Sequence, residues 1–374
     1  MRDGYSIKRI KDICEKGSSN IAQKDLEGHD GDYPIYGASG FIKNVDFYHQ
    51  AKEYVGIVKD GSGIGRVDFY PPKSSLIGTL QYIIPRADYD IRYVGYCLQS
   101  LNLASYRQGA AIPHIYFRDY GEMEVLVAES IPEQQRIVGI LDQEFAKIDE
   151  LKAKAEKSIQ AAKDLFASIQ TLVLENNSWK VYLLNDVCSL ITDGTHKTPK
   201  YQESGVPFLS VKNITGGFID MVDTRFISKE EHKELSKRCK PEYGDILYSK
   251  VGTTGVAKVI DTYDEFSIFV SLALLKVKND IVKSTMLEKI LNAPYVRKQA
   301  QQRTRGTANK NFVISDIKQV CVRIPQYDEQ ETVEQLLDTY SEKIIAILQN
   351  YQKSLTLCDD LKQALLRKAF SGEL

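Results

Sequence analysis

Apolar residues recur at intervals of seven in two stretches of the chain, roughly Glu133 to Leu174 and Glu329 to Phe370. One row reads Leu141, Ile148, Ala155, Ala162, Ile169, and its match in the later stretch reads Leu337, Ile344, Tyr351, Cys358, Leu365. A second row, Leu151, Leu165 and Leu172, is matched by Ile347 and Leu361, while Ile159, Phe166, Leu348 and Leu355 widen the stripe. A seam kept up for about five heptads is a coiled-coil signal. Neither stretch contains an internal proline, and at 1.5 Å per residue an arm of about 40 residues is roughly 60 Å long. Two ordinary core helices are the alternative, but such lengths far exceed the mean globular helix. The pattern predicts two arms packed on each other through Leu141, Ile148, Leu151, Leu165, Leu337, Ile344, Ile347 and Leu361.

The arms are copies. An offset of 196 lays Gln134 on Gln330, Leu141 on Leu337, Ile148 on Ile344 and Leu165 on Leu361. Each opens with Ile-Pro (Ile131-Pro132, Ile324-Pro325) and then Glu-Gln, a proline ahead of a helix start. The segments before the arms correspond more loosely. Tyr5 to Cys14 resembles Trp179 to Cys188, Asp32 to Tyr36 resembles Gly205 to Leu209, and Lys59 to Val67 resembles Lys250 to Val259. Gln108 to Tyr116 likewise resembles Arg305 to Val313. Short β-branched and aromatic runs (Tyr54 to Val58, Leu76 to Ile84, Ile246 to Ser249, Phe266 to Val277) broken by Gly, Pro and Asp predict mixed α/β modules rich in strand. The fold expected is α+β: two mixed α/β domains separated by two long antiparallel coiled-coil helices, with pseudo-two-fold duplication. Its boundaries fall at 1–130, 131–178, 179–323 and 324–374.

Length adds that 374 residues exceed one comfortable core. The formal net charge of −1 hides a distribution, because residues 179–323 carry 23 Lys and Arg against 16 Asp and Glu. Basic charge concentrated in one segment is an electrostatic footprint for an anionic partner; in the first half, chance variation on a solvated surface explains the balance as well. The six cysteines are scattered, with no Cys-x-x-Cys spacing, which predicts free thiols in a reducing cytoplasm and no zinc site. No stretch is apolar enough to span a bilayer and the first residues carry no signal-peptide run, so no membrane partner is expected.

The order of body, arm, body, arm, the stretch Asp193-Gly-Thr-His-Lys-Thr-Pro199, the paired glycine-rich segments and the closing Leu365-Leu-Arg-Lys-Ala-Phe-Ser-Gly-Glu-Leu374 together resemble the specificity subunit of type I restriction–modification systems, over essentially the whole chain. The resemblance implies two target-recognition domains, each reading half of a split asymmetric site on double-stranded DNA. It implies antiparallel helices that act as a ruler and dock two methyltransferase subunits, with two restriction subunits joining them. S-adenosylmethionine, ATP and Mg would then belong to those partners, with no cofactor in this chain. The Asp193–Pro199 stretch has no counterpart in the first half, so the two domains are expected to read different sequences.

A DNA reader needs cations for phosphates, and Arg, Lys, Asn or Gln for base edges. Loop Lys59 to Arg66 offers Lys59, Ser62 and Arg66 among glycines that allow close approach; a hairpin with solvated flanks is the competing interpretation. Its equivalent offers Lys250, Thr253 and Thr254. The turn-prone run from Asp193 offers Thr195, His196 and Lys197, against a plain Asp-Gly turn. The strongest patch offers Arg303, Arg305, Asn309, Lys310 and Asn311, whose first-half counterpart has Arg107, Gln108 and His114. There is no Walker A, no Gly-x-Ser-x-Gly elbow, no Asn-Pro-Pro-Tyr-like methyltransferase motif and no histidine constellation, so catalysis in this chain is not expected. The rival from another class is a protein–protein adaptor with two modules that do not bind DNA.

Overall fold

The computed structural model of the chain describes residues 3–109, 113–306 and 310–374. Two long helices run Ile131–Leu174 and Gln330–Phe370. The chain forms two compact units, Met1–Lys157 with Tyr351–Leu374, and Ser158–Asn350. Each unit therefore holds one globular body and part of both long helices.

In the first unit the strands are β1 (Tyr5–Arg9), β2 (Cys14–Ser18), β3 (Tyr33–Gly37), β4 (Gly40–Val45), β5 (Tyr54–Val58), β6 (Val67–Tyr70), β7 (Ser75–Leu76), β8 (Leu80–Pro85) and β9 (Glu124–Ala128). They form a four-stranded sheet ordered β2-β8-β5-β6, a three-stranded sheet β4-β3-β7 and the antiparallel pair β1-β9. The run Tyr-Val-Gly-Ile-Val of β5 is buried throughout because both its faces are covered, Val55 and Ile57 entering one apolar cluster and Tyr54 and Val58 another. Helix Ile91–Gln99 packs on this sheet, and its first turn is capped by the Asp90 carboxylate, which accepts from the Arg92 and Tyr93 amides.

In the second unit the strands are β10 (Lys180–Leu183), β11 (Cys188–Asp193), β12 (Val206–Leu209), β13 (Arg225–Ile227), β14 (Ile246–Ser249), β15 (Ala257–Val259), β16 (Ser267–Ile268), β17 (Leu272–Val277) and β18 (Cys321–Ile324). The sheets repeat the first unit's: β11-β17-β14-β15, β13-β12-β16 and β10-β18, with β12 parallel to β16 as β3 is to β7. Two runs expected as single strands are each split. Leu76 to Ile84 becomes β7 and β8, and Phe266 to Val277 becomes β16 and β17, with a turn that carries the chain from one sheet to the other.

A buried glutamine ties each long helix to its own body. Gln134 accepts from the Asp90 amide (2.8 Å) and donates to the Asp88 and Ala128 carbonyls (3.1 and 3.0 Å). Gln330 accepts from the Lys283 amide (2.9 Å) and donates to the Ile281 and Pro325 carbonyls (3.0 and 3.4 Å). The helix starts differ otherwise: Ile131-Pro132 form the first turn of one helix, while Pro325 precedes the other by a short turn.

Within the first unit the helices run antiparallel, with Lys152 Nζ 2.7 Å from Asp359 and Lys362 Nζ 2.5 Å from Asp149. Within the second, Leu174 near the end of one helix and Leu337 near the start of the other share a core. The first apolar row is the seam: Leu141, Ile148, Ala155, Ala162, Leu337 and Ile344 are all buried. The second row is not. Leu151 and Leu165 are each 54% exposed and Leu172 84%, and Ile347 and Leu361 are exposed too. The companion of the first row lies four residues on rather than three: Phe145, Lys152, Ile159, Phe166 and Val173 are half-buried, as are Leu348, Leu355 and Lys362. Lysines at two of those places break the apolar pattern, while the leucines three residues on imitate one. Leu141→Ala should cost about 2–5 kcal/mol in denaturant unfolding, whereas Leu151→Ala should stay within about 0.5 kcal/mol of the parent.

Candidate nucleic-acid interface

In both units two loops meet at the same end of the four-stranded sheet. In the first unit β2 and β5 end where β8 begins, with Ser18 opposite Gln81 and Val58 opposite Leu80. The glycine loop leaving β5 is held there by backbone bonds from the Lys59 amide to Thr79 and from the Ile115 amide to Lys59. The Gly61 amide donates to the Pro113 carbonyl, and the Asp60 carboxylate accepts from His114 Nδ1 at 2.6 Å. In the second unit Asp193 lies opposite Ala273 and Ser249 opposite Leu272. The Lys250 amide donates to Ser271, the Phe312 amide to Lys250 and the Gly252 amide to Lys310. Bridges pair Gln108 with His114 in one unit and Arg305 with Asn311 in the other. The sequence correspondence of these loops is thus a correspondence of hydrogen bonds.

The glycines permit the close packing. Gly65 has φ +82°, and a Cβ there would stand 2.6 Å from the Ala104 nitrogen. Its counterpart Gly255 has φ +83°, and a Cβ there would be 2.8 Å from the Ala300 methyl. Only glycine meets both demands at once.

Several candidate side chains stand at the surface of this edge. Ser62, Arg107, Gln108, Lys197, Thr253 and Lys310 are exposed, and Gln108 donates to Asp119 at 2.8 Å. Arg66 pairs with Asp68 (2.7 Å) and donates to the Ala38 carbonyl, so it is half-exposed and engaged. Thr195 bonds within its own turn to Lys197, and His196 reaches Asp193 at 3.1 Å. Thr254 is bonded to Thr304. Arg303 donates to the Gln299 side chain and the Gln319 carbonyl, Arg305 pairs with Asp316 at 3.0 Å, and Asn311 is tied to Arg305 through backbone. Asn309 lies outside the described residues.

Lys250 is not a surface cation as the sequence pattern predicts: it is 4% exposed and its ammonium lies 3.0 Å from the buried Asp193 carboxylate. Lys59, whose backbone makes the same bonds, is a third exposed and pairs only with its neighbour Asp60 at 3.2 Å. The difference arises across the sheet: the first unit offers the neutral Ser18 where the second offers Asp193. Burial raises the Asp193 pKa, but the hydrogen bond and charge of Lys250, aided by His196, outweigh it and hold the carboxyl below its usual value.

Three cations were not singled out from the sequence. Lys16 and Arg118 line a cleft of about 300 Å³ with Ser18, Lys59 and Tyr116, and the Arg118 guanidinium lies 4.8 Å from the centre of the Tyr116 ring. Arg238 lines a cleft of about 360 Å³ with Thr195, His196 and Lys197. Tyr116-Phe-Arg118 beside His114 was the available signal, but it is easily lost among 22 tyrosines. Arg238 gave none, since it is brought in from the end of helix Lys229–Ser236. Among the described residues no group of His, Cys, Asp and Glu is placed to hold a metal ion, and no helix is long and apolar enough to cross a membrane.

Lys250→Ala removes the one buried cation that faces the Asp193 carboxylate and should cost about 3 kcal/mol in urea unfolding, while Lys59→Ala should change stability by about 0.5 kcal/mol or less. Because the folded pKa of Asp193 is depressed, its stabilisation is present above the usual carboxylate range and is lost as pH falls through the lowered value. Urea midpoints between about pH 3 and pH 7 should therefore fall less steeply with acid for Asp193→Asn than for the parent.

Comparison with known proteins agrees with this duplicated architecture. The family model described as "Type I restriction modification DNA specificity domain" matches residues 2–161 and 176–357. The specificity subunit of the type I restriction enzyme EcoBI of Escherichia coli is 24% identical over 271 residues, 65% of this chain and 57% of that protein. That of EcoKI from Escherichia coli strain K12 is 22% identical over 265 residues, 65% of this chain and 56% of that protein. The chain thus spans little more than half the length of these curated relatives. In fold it is similar to a chain of a structure described as the basis of complex assembly and conformational transition of the type I R-M system (TM-score 0.72, 16% identity, 100% of this chain and 99% of that one). It is also similar to the HsdS subunit from Thermoanaerobacter tengcongensis (TM-score 0.50, 16% identity, 100% and 98%). With two matches that together take in most of its length, the chain belongs to the family of type I restriction modification DNA specificity domains.

Proposed function

We propose that this chain is a non-catalytic subunit that reads a bipartite, asymmetric site on double-stranded DNA. The carrying observation is that a glycine loop and a polar, basic loop are hydrogen-bonded to each other at the same sheet end in both units. Residues 1–130 and 179–323 act as target-recognition domains in this proposal, and 131–178 and 324–374 as the helical regions that carry them. Lys59, Lys197, Arg107, Lys310 and Arg305 neutralise phosphates, while Ser62, Gln108, His114, Thr195, His196, Thr253 and Asn311 address bases or sugars. Asn309 is assigned to the same group from sequence alone. Arg66, Gln108, Thr254, Arg303 and Arg305 contribute after exchanging a protein partner for a DNA one.

Catalysis falls to partners. The exposed leucines of the flanking row, Leu151, Leu165 and Leu172, with Ile347 and Leu361, suit apolar docking. Two methyltransferase subunits using S-adenosylmethionine and two restriction subunits using ATP and Mg are the partners proposed, acting in the cytoplasm where the DNA is.

The test is DNA affinity as a function of salt. For a reader, the logarithm of affinity falls linearly with that of salt concentration, by about 0.9 per phosphate contacted. Arg305→Ala should weaken binding and lower that slope by about 1, whereas Lys154→Ala, paired with Glu150 on an arm, should leave both unchanged. A folded chain with no DNA affinity at any salt would instead be an adaptor.

A further inference from the structure

Lys250 and Asp193 form an ion pair buried in the second unit at the root of both surface loops. Such pairs seldom improve stability over well-packed apolar residues, so their presence calls for another role. The Asp193 carboxylate has two further partners. His196 Nε2 lies 3.1 Å from one oxygen and Arg238 Nη2 3.3 Å from the other. Arg238 also donates to the Asp193 and Gly194 carbonyls at 2.8 and 2.6 Å. Gly194 itself is pressed against the Ile268 carbonyl, where a Cβ would stand at 2.1 Å.

One carboxylate thereby joins three segments distant in sequence: the loop that follows β11, the glycine loop that follows β14, and the end of helix Lys229–Ser236. The backbone of these loops is also bonded, Thr195 to Ile268 and Val270 and Gly252 to Lys310, while the Lys197 and Thr253 side chains at the tips are exposed. The first unit lacks this arrangement, having Ser18 at the sheet position of Asp193 and joining its loops through Asp60 and His114 at the surface.

We propose that Asp193 is the positioning residue of the second unit's reading edge, holding the 194–198 turn and the 250–256 loop in one fixed arrangement through Lys250, His196 and Arg238. The proposal rests on the assignment of this edge to DNA only for its consequence; the ordering of the loops stands apart from it. Lys250 contributes from inside, by fixing where Thr253 and Lys310 stand, and does not touch the nucleic acid.

Removing one partner alone leaves a buried charge and risks unfolding the unit, so the informative variant is the double apolar replacement Asp193→Leu with Lys250→Met, made in the full chain. It should keep a melting temperature close to the parent's, while amide hydrogen exchange at 194–198 and 250–256 becomes about tenfold faster or more and that of β14 and β17 is unchanged. Arg238→Gln, which removes a half-exposed group and leaves the buried pair intact, should speed exchange at 194–198 alone. Unaltered exchange in the folded double variant, or in Arg238→Gln if the double variant does not fold, overturns the proposal. DNA affinity of the same proteins separates the two ideas. Looser loops with weaker binding support both; looser loops with unchanged binding keep the positioning role and overturn the assignment of this edge to DNA.

Discussion

A buried glutamine must place one acceptor and two donors, and any left unmet costs free energy that no nearby water can return. Gln134 and Gln330 meet all of theirs with backbone groups of the bodies they belong to. Each bond goes to a different piece of chain: the residue that caps a helix packed on the body, the loop before it, and the end of the last strand or the residue after it. The helix cannot turn about its axis or slide along the body without breaking several at once. With the apolar packing of Ile137, Val138 and Leu141 in the first unit and of Leu174 and Leu337 in the second, this side chain refers each body to the long helices. That it occurs twice, with the same three kinds of partner, is the most direct sign that the chain arose by duplication.

Much of this architecture was legible because it is written in periodicity and repetition. Two helices about 40 residues long with matched apolar rows, and body segments that correspond in order, leave few alternatives. Strands such as Tyr54–Val58 and Ile246–Ser249 were legible for the same reason, being short β-branched runs closed by glycine or charge. What could not be read were properties decided by distant partners. Lys59 and Lys250 occupy equivalent places in sequence and backbone, but across the sheet the first unit has Ser18 and Gln81 where the second has Asp193 and Ala273, and only the second offers the ammonium a buried carboxylate. The heptad phase was obscured by side chains with two characters. Lys152 and Lys362 lie along the seam on their aliphatic stems, while Leu151 and Leu361 face outward.

Those two lysines also set register. In an antiparallel pair Lys152 meets Asp359 and Lys362 meets Asp149, a reciprocal arrangement that a slip of one heptad would break on both sides. As exposed pairs they add little stability, but polar groups along an otherwise apolar seam penalise the wrong alignments more than they favour the right one.

The outward leucines have a cost that falls on the cell rather than on the fold. A surface that leaves Leu172 and its neighbours open to water is adhesive, and copies of this chain made in excess of whatever covers them will tend toward aggregation or proteolysis. If the partners proposed above cover that face, supply in proportion to them, through joint translation or rapid capture during synthesis, limits those losses. Abundance of the free chain would then be governed by its companions' output.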